Sequence, residues 1–171
     1  MDTTEFENHE QEEEFNQVYD QYAAAILRYT YLKVSDYELA QDLTAETFVR
    51  FWQALKKQET IRYAKTFLYL IAHGLVVDYY RQRKKNAVAM DQIDERLLSN
   101  LDEVESRLET KSQMNQVYSM LATIHDEYRE VLLLRYVEDL ETEEIAAILN
   151  KKEATVRVLI HRALAALKAK L

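Results

Sequence analysis

Residues 143–149 read EEIAAIL and residues 155–164 read TVRVLIHRAL, with the polar segment Asn150-Lys151-Lys152 between them. Both stretches space their apolar residues at intervals of three and four, which is the repeat of an amphipathic helix. Two short helices joined by a tight turn form a helix-turn-helix, and this motif offers its second helix to the major groove of DNA. This end of the chain therefore predicts a polynucleotide partner.

The composition favours helix throughout. The 171 residues include one Gly, no Pro and no Cys, whereas strands and tight turns depend on Gly and Pro. Without cysteine, disulfides and thiolate metal sites are impossible. The acidic beginning and the lack of any apolar run of membrane-spanning length predict neither a signal peptide nor membrane insertion. We expect an all-α cytoplasmic protein.

The net charge of −8 is unevenly distributed. Residues 1–14 hold seven Asp/Glu and no Lys/Arg, whereas residues 56–85 hold eight Lys/Arg against two Asp/Glu. Residues 150–171 hold six Lys/Arg against one Glu. Two basic segments suit two separate contacts with phosphate backbones, because such contacts depend on local charge. The alternative is that the net charge of successive solvated helix surfaces simply alternates between negative and positive.

The apolar spacing predicts two small helical domains joined by an acidic linker. Residues 1–14 form an acidic tail without periodicity, and residues 15–86 carry three amphipathic helices, the second capped near Ser35-Asp36. Residues 87–112 form the linker, with one short helix expected around 103–109. Residues 113–171 form the domain that contains the helix-turn-helix.

Three segments carry a family resemblance. Residues 40–55 read AQDLTAETFVRFWQAL, residues 67–81 read FLYLIAHGLVVDYYR and residues 128–136 read YREVLLLRY. With the helix-turn-helix behind them, they closely resemble bacterial RNA polymerase sigma factors of the extracytoplasmic-function (ECF) type, in the sigma-70 family. The resemblance covers residues 15–85 and 115–168. It implies a region 2 bundle, a region 4 helix-turn-helix and a factor that binds core RNA polymerase and directs promoter recognition and transcription initiation.

The resemblance assigns the second helix to docking on a coiled coil of the largest polymerase subunit. Asp42, Glu46 and Arg50 lie four residues apart on one face, as a charged docking strip would. Phe48 and Trp52 are the expected aromatic anchors. The alternative is a solvated charged face over a core aromatic pair.

The basic segment matches the part of the family that opens the minus-ten promoter element. Its expected phosphate contacts are Lys56, Lys57, Arg62, Lys65, Arg81, Arg83, Lys84 and Lys85. Tyr63 either stacks on a base or staples the start of the third helix. His73-Gly74 replaces the Arg-Asn pair usual in the family, and the single glycine predicts a close backbone approach to a helix or to DNA.

The helix-turn-helix departs from its relatives at the turn. Asn150 replaces the usual Gly and tolerates the left-handed conformation, so the turn is expected to survive. Lys152 replaces Ser and cannot cap the following helix through a side-chain oxygen. The expected phosphate contacts here are Lys151, Lys152 and Thr155, while Arg157, His161 and Arg162 are expected to read the upstream promoter element.

The recognition helix also carries surplus apolar residues. Its predicted core stripe is Val156, Ile160, Ala163, Leu164 and Leu167. Val158 and Leu159 then lie on faces that meet DNA or solvent. This apolar surface supports an alternative function, a sigma-like protein-interaction module with weakened DNA reading that binds polymerase or another regulator.

Two other functions explain less of the chain. A simple helix-turn-helix repressor leaves the second helix without a role. An enzyme is disfavoured because the four histidines are far apart in sequence and no phosphate-binding Gly loop or nucleophile motif occurs. We therefore expect no catalytic residue, no metal and no cofactor. The expected partners are core RNA polymerase and promoter DNA, and the resemblance adds an anti-sigma factor.

Overall fold

The computed structural model describes residues 3–86 and 113–171. Within these ranges the chain forms seven α-helices and no strand, so the all-α prediction is confirmed. The helices are α1 (Thr3–Val34), α2 (Tyr37–Lys56), α3 (Ala64–Asn86), α4 (Gln113–Leu121), α5 (Asp126–Leu132), α6 (Thr142–Leu149) and α7 (Glu153–Lys168). The chain divides into two compact units, Met1–Gln92 and Ile93–Leu171. The predicted linker and its short helix lie outside the described residues.

The first helix starts much earlier than the sequence predicted. It begins at Thr3, so the segment expected to be an acidic tail is helical from that residue onward. The segment contains no Pro or Gly, and its many Glu and Gln residues are good helix formers. Negative side chains at a helix N-terminus also interact favourably with the helix dipole. In addition, the Lys56 ammonium at the end of α2 donates to Asn8 Oδ1.

Helices α1 and α2 pack antiparallel. At one end, Thr30 Oγ1 lies 3.2 Å from the Ala40 carbonyl oxygen and 3.1 Å from Thr44 Oγ1. Toward the other end, the Phe15 ring packs edge-on against Trp52, with the ring centroids 5.4 Å apart. The hairpin thus buries a continuous seam along both helices.

Helix α3 completes an antiparallel three-helix bundle. The rings of Tyr29 and Tyr69, both fully buried, meet edge to face at 5.4 Å between centroids. One turn further along α3, Tyr29 Oη lies 3.2 Å from His73 Nδ1. Near the end of the helix, the Tyr80 hydroxyl donates to the Lys33 carbonyl. These contacts fix the rotation of α3 and hence which of its side chains face outward.

The turns use residues other than glycine in the left-handed conformation. Ser35, Gln58, Asp139 and Asn150 have φ between 51° and 54°. Next to the first of them, Asp36 Oδ1 accepts from the Leu39 backbone N–H at 3.1 Å, which confirms the predicted helix cap. These turns therefore tolerate the backbone strain of a left-handed residue that is not glycine, while the single glycine lies inside α3.

Arginines hold the second unit together at two connections. Arg129 Nε donates to the Leu121 carbonyl at 3.1 Å and thereby satisfies the end of α4. Arg135 donates to the Leu140 carbonyl at 2.9 Å and pairs with Glu141 at 3.1 Å, just before α6. Both side chains therefore brace the segments that lead into the helix-turn-helix.

Helix α5 continues into a π-helical turn, Leu133–Val137, which the sequence did not predict. Here the Glu138 N–H bonds to the Leu133 carbonyl at 3.0 Å, five residues back. Around this junction Val131, Leu132, Leu133 and Leu134 are all buried, while Tyr136 is exposed.

The core of the second unit corrects the predicted apolar stripe of α7. A cluster joins Leu121, Ile124, Val131 and Leu132 to Leu159 and Ala163 of α7. Leu159 is only 7% exposed, so the prediction that it faces DNA or solvent is wrong; Leu164, predicted as core, is exposed instead. None of the helices within residues 3–86 and 113–171 combines the length and apolar character needed to cross a membrane.

Candidate functional site

The outward face of α2 carries the predicted charged strip. Asp42, Glu46 and Arg50 are all exposed, and Arg50 Nε donates to Glu46 Oε1 at 2.9 Å. Val49 lies within this strip and is 47% exposed. The surface is therefore a mixed one, with an aliphatic side chain set among charges.

Of the two aromatic residues predicted as anchors, one is buried and the other is only partly exposed. Phe48 is 3% exposed and packs against Phe15 and Tyr19 of α1, so the prediction that it is available to a partner is wrong. Trp52 is partly buried, between the Phe15 ring and the Lys56 ammonium, which lies 4.8 Å from the indole centroid. The difference arises because Phe15 and Tyr19 of α1 pack on this side of α2.

The loop between α2 and α3 presents basic and aromatic side chains. Lys56, Lys57 and Arg62 are exposed, and Lys56 also contacts Asn8 and the Trp52 ring; Lys65 is partly buried. Tyr63, directly before α3, is 58% exposed, and the Arg62 guanidinium lies 5.4 Å from its ring centroid. That exposure does not fit a hydrophobic staple, because a staple buries its residue against the first turns of the helix.

The last turns of α3 form the strongest basic surface of the first unit. Arg81, Arg83, Lys84 and Lys85 are all exposed. Arg81 Nη1 lies 3.3 Å from Asp78 Oδ1, so part of its charge is offset by a neighbour one turn away. At the C-terminal end of a helix, these cations also interact favourably with the helix dipole.

Gly74 does not mark a close approach within the protein. A Cβ placed on it would meet no described atom within 4 Å, so the expected approach to another helix is not present. The neighbouring His73 is turned inward toward the buried Tyr29 hydroxyl, at 3.2 Å. His73 therefore has a packing role, whereas no neighbouring atom requires a glycine at position 74.

The turn of the helix-turn-helix confirms the sequence reasoning about its backbone. Asn150 adopts the left-handed conformation with φ 51° and ψ 47°, and Lys151 N–H closes the turn on the Ala146 carbonyl at 3.0 Å. Lys152 occupies the N-cap position of α7 without a side-chain hydrogen bond, as predicted. Glu144 supplies a cap for α6 by accepting from the Glu141 N–H at 2.7 Å.

The outward face of α7 brings the predicted reading residues together. Thr155, Arg157, His161 and Arg162 are all exposed. Arg157 pairs with Glu153 one turn earlier, and Lys151 in the turn pairs with Glu127 of α5 at 3.0 Å. Val158 lies among these residues and is 48% exposed, which the sequence predicted.

The two units match two family descriptions. Sigma-70 region 2 matches residues 18–86, and Sigma-70, region 4 matches residues 114–167. Each match covers one helical unit, and the two follow each other in the order expected from the sequence.

Curated relatives match along most of the chain. RNA polymerase sigma factor YlaC of Bacillus subtilis is 31% identical over 152 residues, covering 88% of each chain. ECF RNA polymerase sigma factor SigL of Mycobacterium tuberculosis is 31% identical over 154 residues, covering 88% of this chain and 85% of its own. ECF RNA polymerase sigma factor SigM of Bacillus subtilis is 28% identical over 154 residues, covering 90% and 93%.

Solved structures share the fold. The sigma factor RpoE, in complex with the anti-sigma factor NepR from Bartonella quintana, superposes with a TM-score of 0.68 at 17% identity, covering 91% of this chain and 95% of its own. CnrH, in complex with the cytosolic domain of CnrY, gives a TM-score of 0.63 at 22% identity, covering 91% and 85%.

These findings define a sigma factor, built from a region 2 bundle and a region 4 helix-turn-helix unit. The chain belongs to the sigma-70 family, and within it to the extracytoplasmic-function group. It is accordingly a transcription initiation factor that works with core RNA polymerase at promoters and is not an enzyme.

Proposed function

We propose that the outward face of α2 docks on core RNA polymerase through Asp42, Glu46 and Arg50. These three side chains are exposed along one helix face, and the core side of α2 is already filled by α1 and α3. Val49 supplies the apolar contact that was expected from Phe48, because it is the exposed aliphatic residue in the strip. An apolar centre with a charged rim is the usual anatomy of a protein interface.

The first unit binds single-stranded minus-ten DNA through the α2–α3 loop and the end of α3. Arg83, Lys84 and Lys85 contact phosphates, with Lys57, Arg62 and Arg81 beside them. Tyr63 stacks on an unpaired base, since its ring is exposed and already flanked by a guanidinium. Lys56 contributes less to DNA binding than the sequence suggested, because its ammonium group already contacts Asn8 and the Trp52 ring. Lys65 is also a weaker candidate because it is partly buried.

The second unit binds the upstream promoter element in duplex form. Lys151, Lys152 and Thr155 contact phosphates at the turn and at the start of α7. Arg157, His161 and Arg162 face the base edges, because the N-terminal part of a recognition helix lies deepest in the major groove. The observation that carries the whole proposal is that both basic segments of an acidic chain lie on exposed surfaces of the two units that match DNA-binding sigma regions.

Run-off transcription with core polymerase and genomic fragments tests this function. We expect the full chain to support initiation from a subset of fragments. The double variant Lys84→Ala/Lys85→Ala should lose promoter opening, seen as lost permanganate reactivity of unpaired thymines, while it still binds polymerase. The matched control is Lys168→Ala/Lys170→Ala, which removes the same charge from exposed positions at the end of the chain. Equal activity of both double variants would contradict the minus-ten assignment.

The alternative, a protein-interaction module with weakened DNA reading, has less support than the sequence suggested. Half of the apolar surface on which it rested is absent, because Leu159 is buried. It predicts polymerase binding without any DNA-dependent initiation, so the same transcription experiment separates the two functions.

Location and regulation follow from the proposed role. A factor that binds polymerase acts in the cytoplasm, where the bacterial chromosome is transcribed. We also propose an anti-sigma partner, suggested by the complex of RpoE with NepR among the structural neighbours. Affinity capture with the tagged full chain, followed by loss of run-off activity when the captured protein is added back, tests that partner.

A further inference from the structure

The outward face of α7 has an apolar centre. Val158 is 48% exposed and lies on the side of the helix away from Val156, Leu159 and Ala163, which are buried. Ala154, one turn earlier, is also exposed. Because positions four residues apart share a helix face, these two side chains form a short apolar strip in the first turns of α7.

Charged and polar residues flank this strip on both sides. Arg157 and His161 lie along one edge, and Thr155 and Arg162 lie along the other, all of them exposed. Lys151 and Lys152 precede the helix in the turn. A surface that is cationic around a small apolar centre suits a polyanion carrying an apolar group, and it does not suit an extended apolar partner.

The major groove offers one such group. Adenine, guanine and cytosine present polar atoms at their major-groove edges, whereas thymine also presents its C5-methyl group. An aliphatic side chain in the groove contacts that methyl favourably and leaves the polar edge of a cytosine without a hydrogen-bond partner. Val158 is therefore equipped to select thymine.

We propose that Val158 reads the C5-methyl group of a thymine in the upstream promoter element. The proposal rests on the function assigned to the second unit, and it adds a specificity-determining residue that makes no hydrogen bond. It also explains why an aliphatic residue is compatible with DNA binding at this position. The flanking cations supply affinity through phosphates and bases, while Val158 supplies discrimination at one base pair.

The test uses the full chain assembled with core polymerase and two duplex libraries with a randomised upstream element. One library contains thymine, and the other contains deoxyuridine at every thymine position, which removes only the C5-methyl. We expect the first library to enrich thymine at one position. Replacing that thymine by uracil in the selected duplex should weaken binding about fourfold, as expected for the loss of one buried methyl.

The diagnostic variant is Val158→Ser, which removes both methyl groups of the side chain and leaves a small polar hydroxyl. It should bring the thymine-to-uracil affinity ratio close to one. The control is Leu164→Ala, which trims an exposed aliphatic residue of the same helix away from the centre of the outward face. This control should keep the fourfold ratio. Circular dichroism checks that both variants remain folded, as expected for exposed positions.

Three outcomes overturn the proposal. A selected upstream sequence with no methyl dependence shows that Val158 does not read thymine, although the function of the second unit stands. A methyl dependence that Val158→Ser leaves unchanged assigns the contact to another residue. If no upstream sequence is enriched at all, the proposed function of the second unit fails and the thymine contact fails with it.

Discussion

Lys151 Nζ lies 3.0 Å from Glu127 Oε1, so the turn of the helix-turn-helix is joined by an ion pair to the helix that precedes the motif. The two side chains are 34% and 44% exposed, and an ion pair at such a surface contributes little to stability. If Lys151 contacts a phosphate, as we propose, the larger effect of the ion pair is on DNA binding. A lysine paired with a carboxylate in the free protein must exchange that partner for a phosphate when DNA binds.

Glu127→Gln should therefore strengthen binding to upstream duplex DNA. In the wild type, Lys151 must give up Glu127 before it contacts a phosphate, and the variant removes that cost. We expect the affinity at a fixed salt concentration to rise by up to about fivefold, since an exposed ion pair is worth up to about 1 kcal/mol. Fluorescence anisotropy measures this affinity. Glu143→Gln, an equal charge change at an exposed position in α6, is the control; if it matches Glu127→Gln, net charge and not the ion pair is responsible.

Lys152→Ser should make the second unit more stable and weaken its hold on DNA. The side chain at this N-cap position makes no capping hydrogen bond, and a serine there typically adds about 1 kcal/mol. The same change removes a proposed phosphate contact, which should reduce the salt slope by about one unit. Urea unfolding and salt-dependent binding measure the two effects. A variant that is more stable but binds DNA with unchanged affinity would show that Lys152 does not contact DNA.

Gly74→Ala should stabilise the first unit. Nothing described lies within 4 Å of the added Cβ, and alanine gains about 1 kcal/mol over glycine inside a helix. For a unit of this size, that corresponds to a rise in midpoint temperature of about 4–8 °C. Thermal unfolding checks the gain, and a lower midpoint would show that the position is crowded. If a stabilised variant loses promoter opening, the glycine serves an approach by DNA.

Leu159→Ala should destabilise the second unit by about 2–5 kcal/mol, as is usual when a buried leucine is truncated. Leu159 joins α7 to the cluster that includes Leu121 and Val131. Leu164→Ala, at an exposed position of the same helix, should change stability by no more than about 0.5 kcal/mol. Denaturant unfolding measures the stability of both variants. Similar losses of stability would contradict the orientation of α7 that buries Leu159 and exposes Leu164.

Phe48→Ala and Val49→Ala should have opposite consequences although the residues are neighbours. Truncating the buried Phe48 should cost about 3–5 kcal/mol of folding stability. Val49→Ala should leave folding intact and weaken polymerase binding by about tenfold, the effect of losing roughly 1.4 kcal/mol at an interface. Thermal unfolding and competition for core polymerase against the wild-type chain separate the two. Undiminished polymerase binding by Val49→Ala would exclude it from the docking surface.

Features that depend on a few neighbouring residues were predicted well from the sequence. The Asp36 cap and the left-handed Asn150 are both set by local backbone hydrogen bonding and by the residue types that accept it. The missing cap at Lys152 is equally local. By contrast, the helical turns of α1 before residue 15 carry no apolar repeat, so the periodicity of the sequence does not reveal them.

The assignment of side chains to a buried or an exposed face was predicted less well. Phe48 and Val49, like Leu159 and Leu164, are apolar residues close in sequence, and either member of each pair could complete an apolar stripe at helical spacing. Only packing against neighbouring helices chose between them. Phe15 and Tyr19 cover Phe48, and the cluster around Val131 takes in Leu159.

The sequence by itself determined that this chain is a helical sigma factor, because the segment order, the family motifs and the helix caps depend only on residues that are adjacent in the sequence. The tertiary structure decided which side chains a partner can meet. It placed Val49 and Val158 outward, closed Phe48 and Leu159 inward, and held Lys56 and Lys151 by Asn8 and Glu127. The physical reason is that the buried face of a helix is selected by its fit to the neighbouring helices. Those helices are formed by residues elsewhere in the chain, so the local sequence pattern does not define the face.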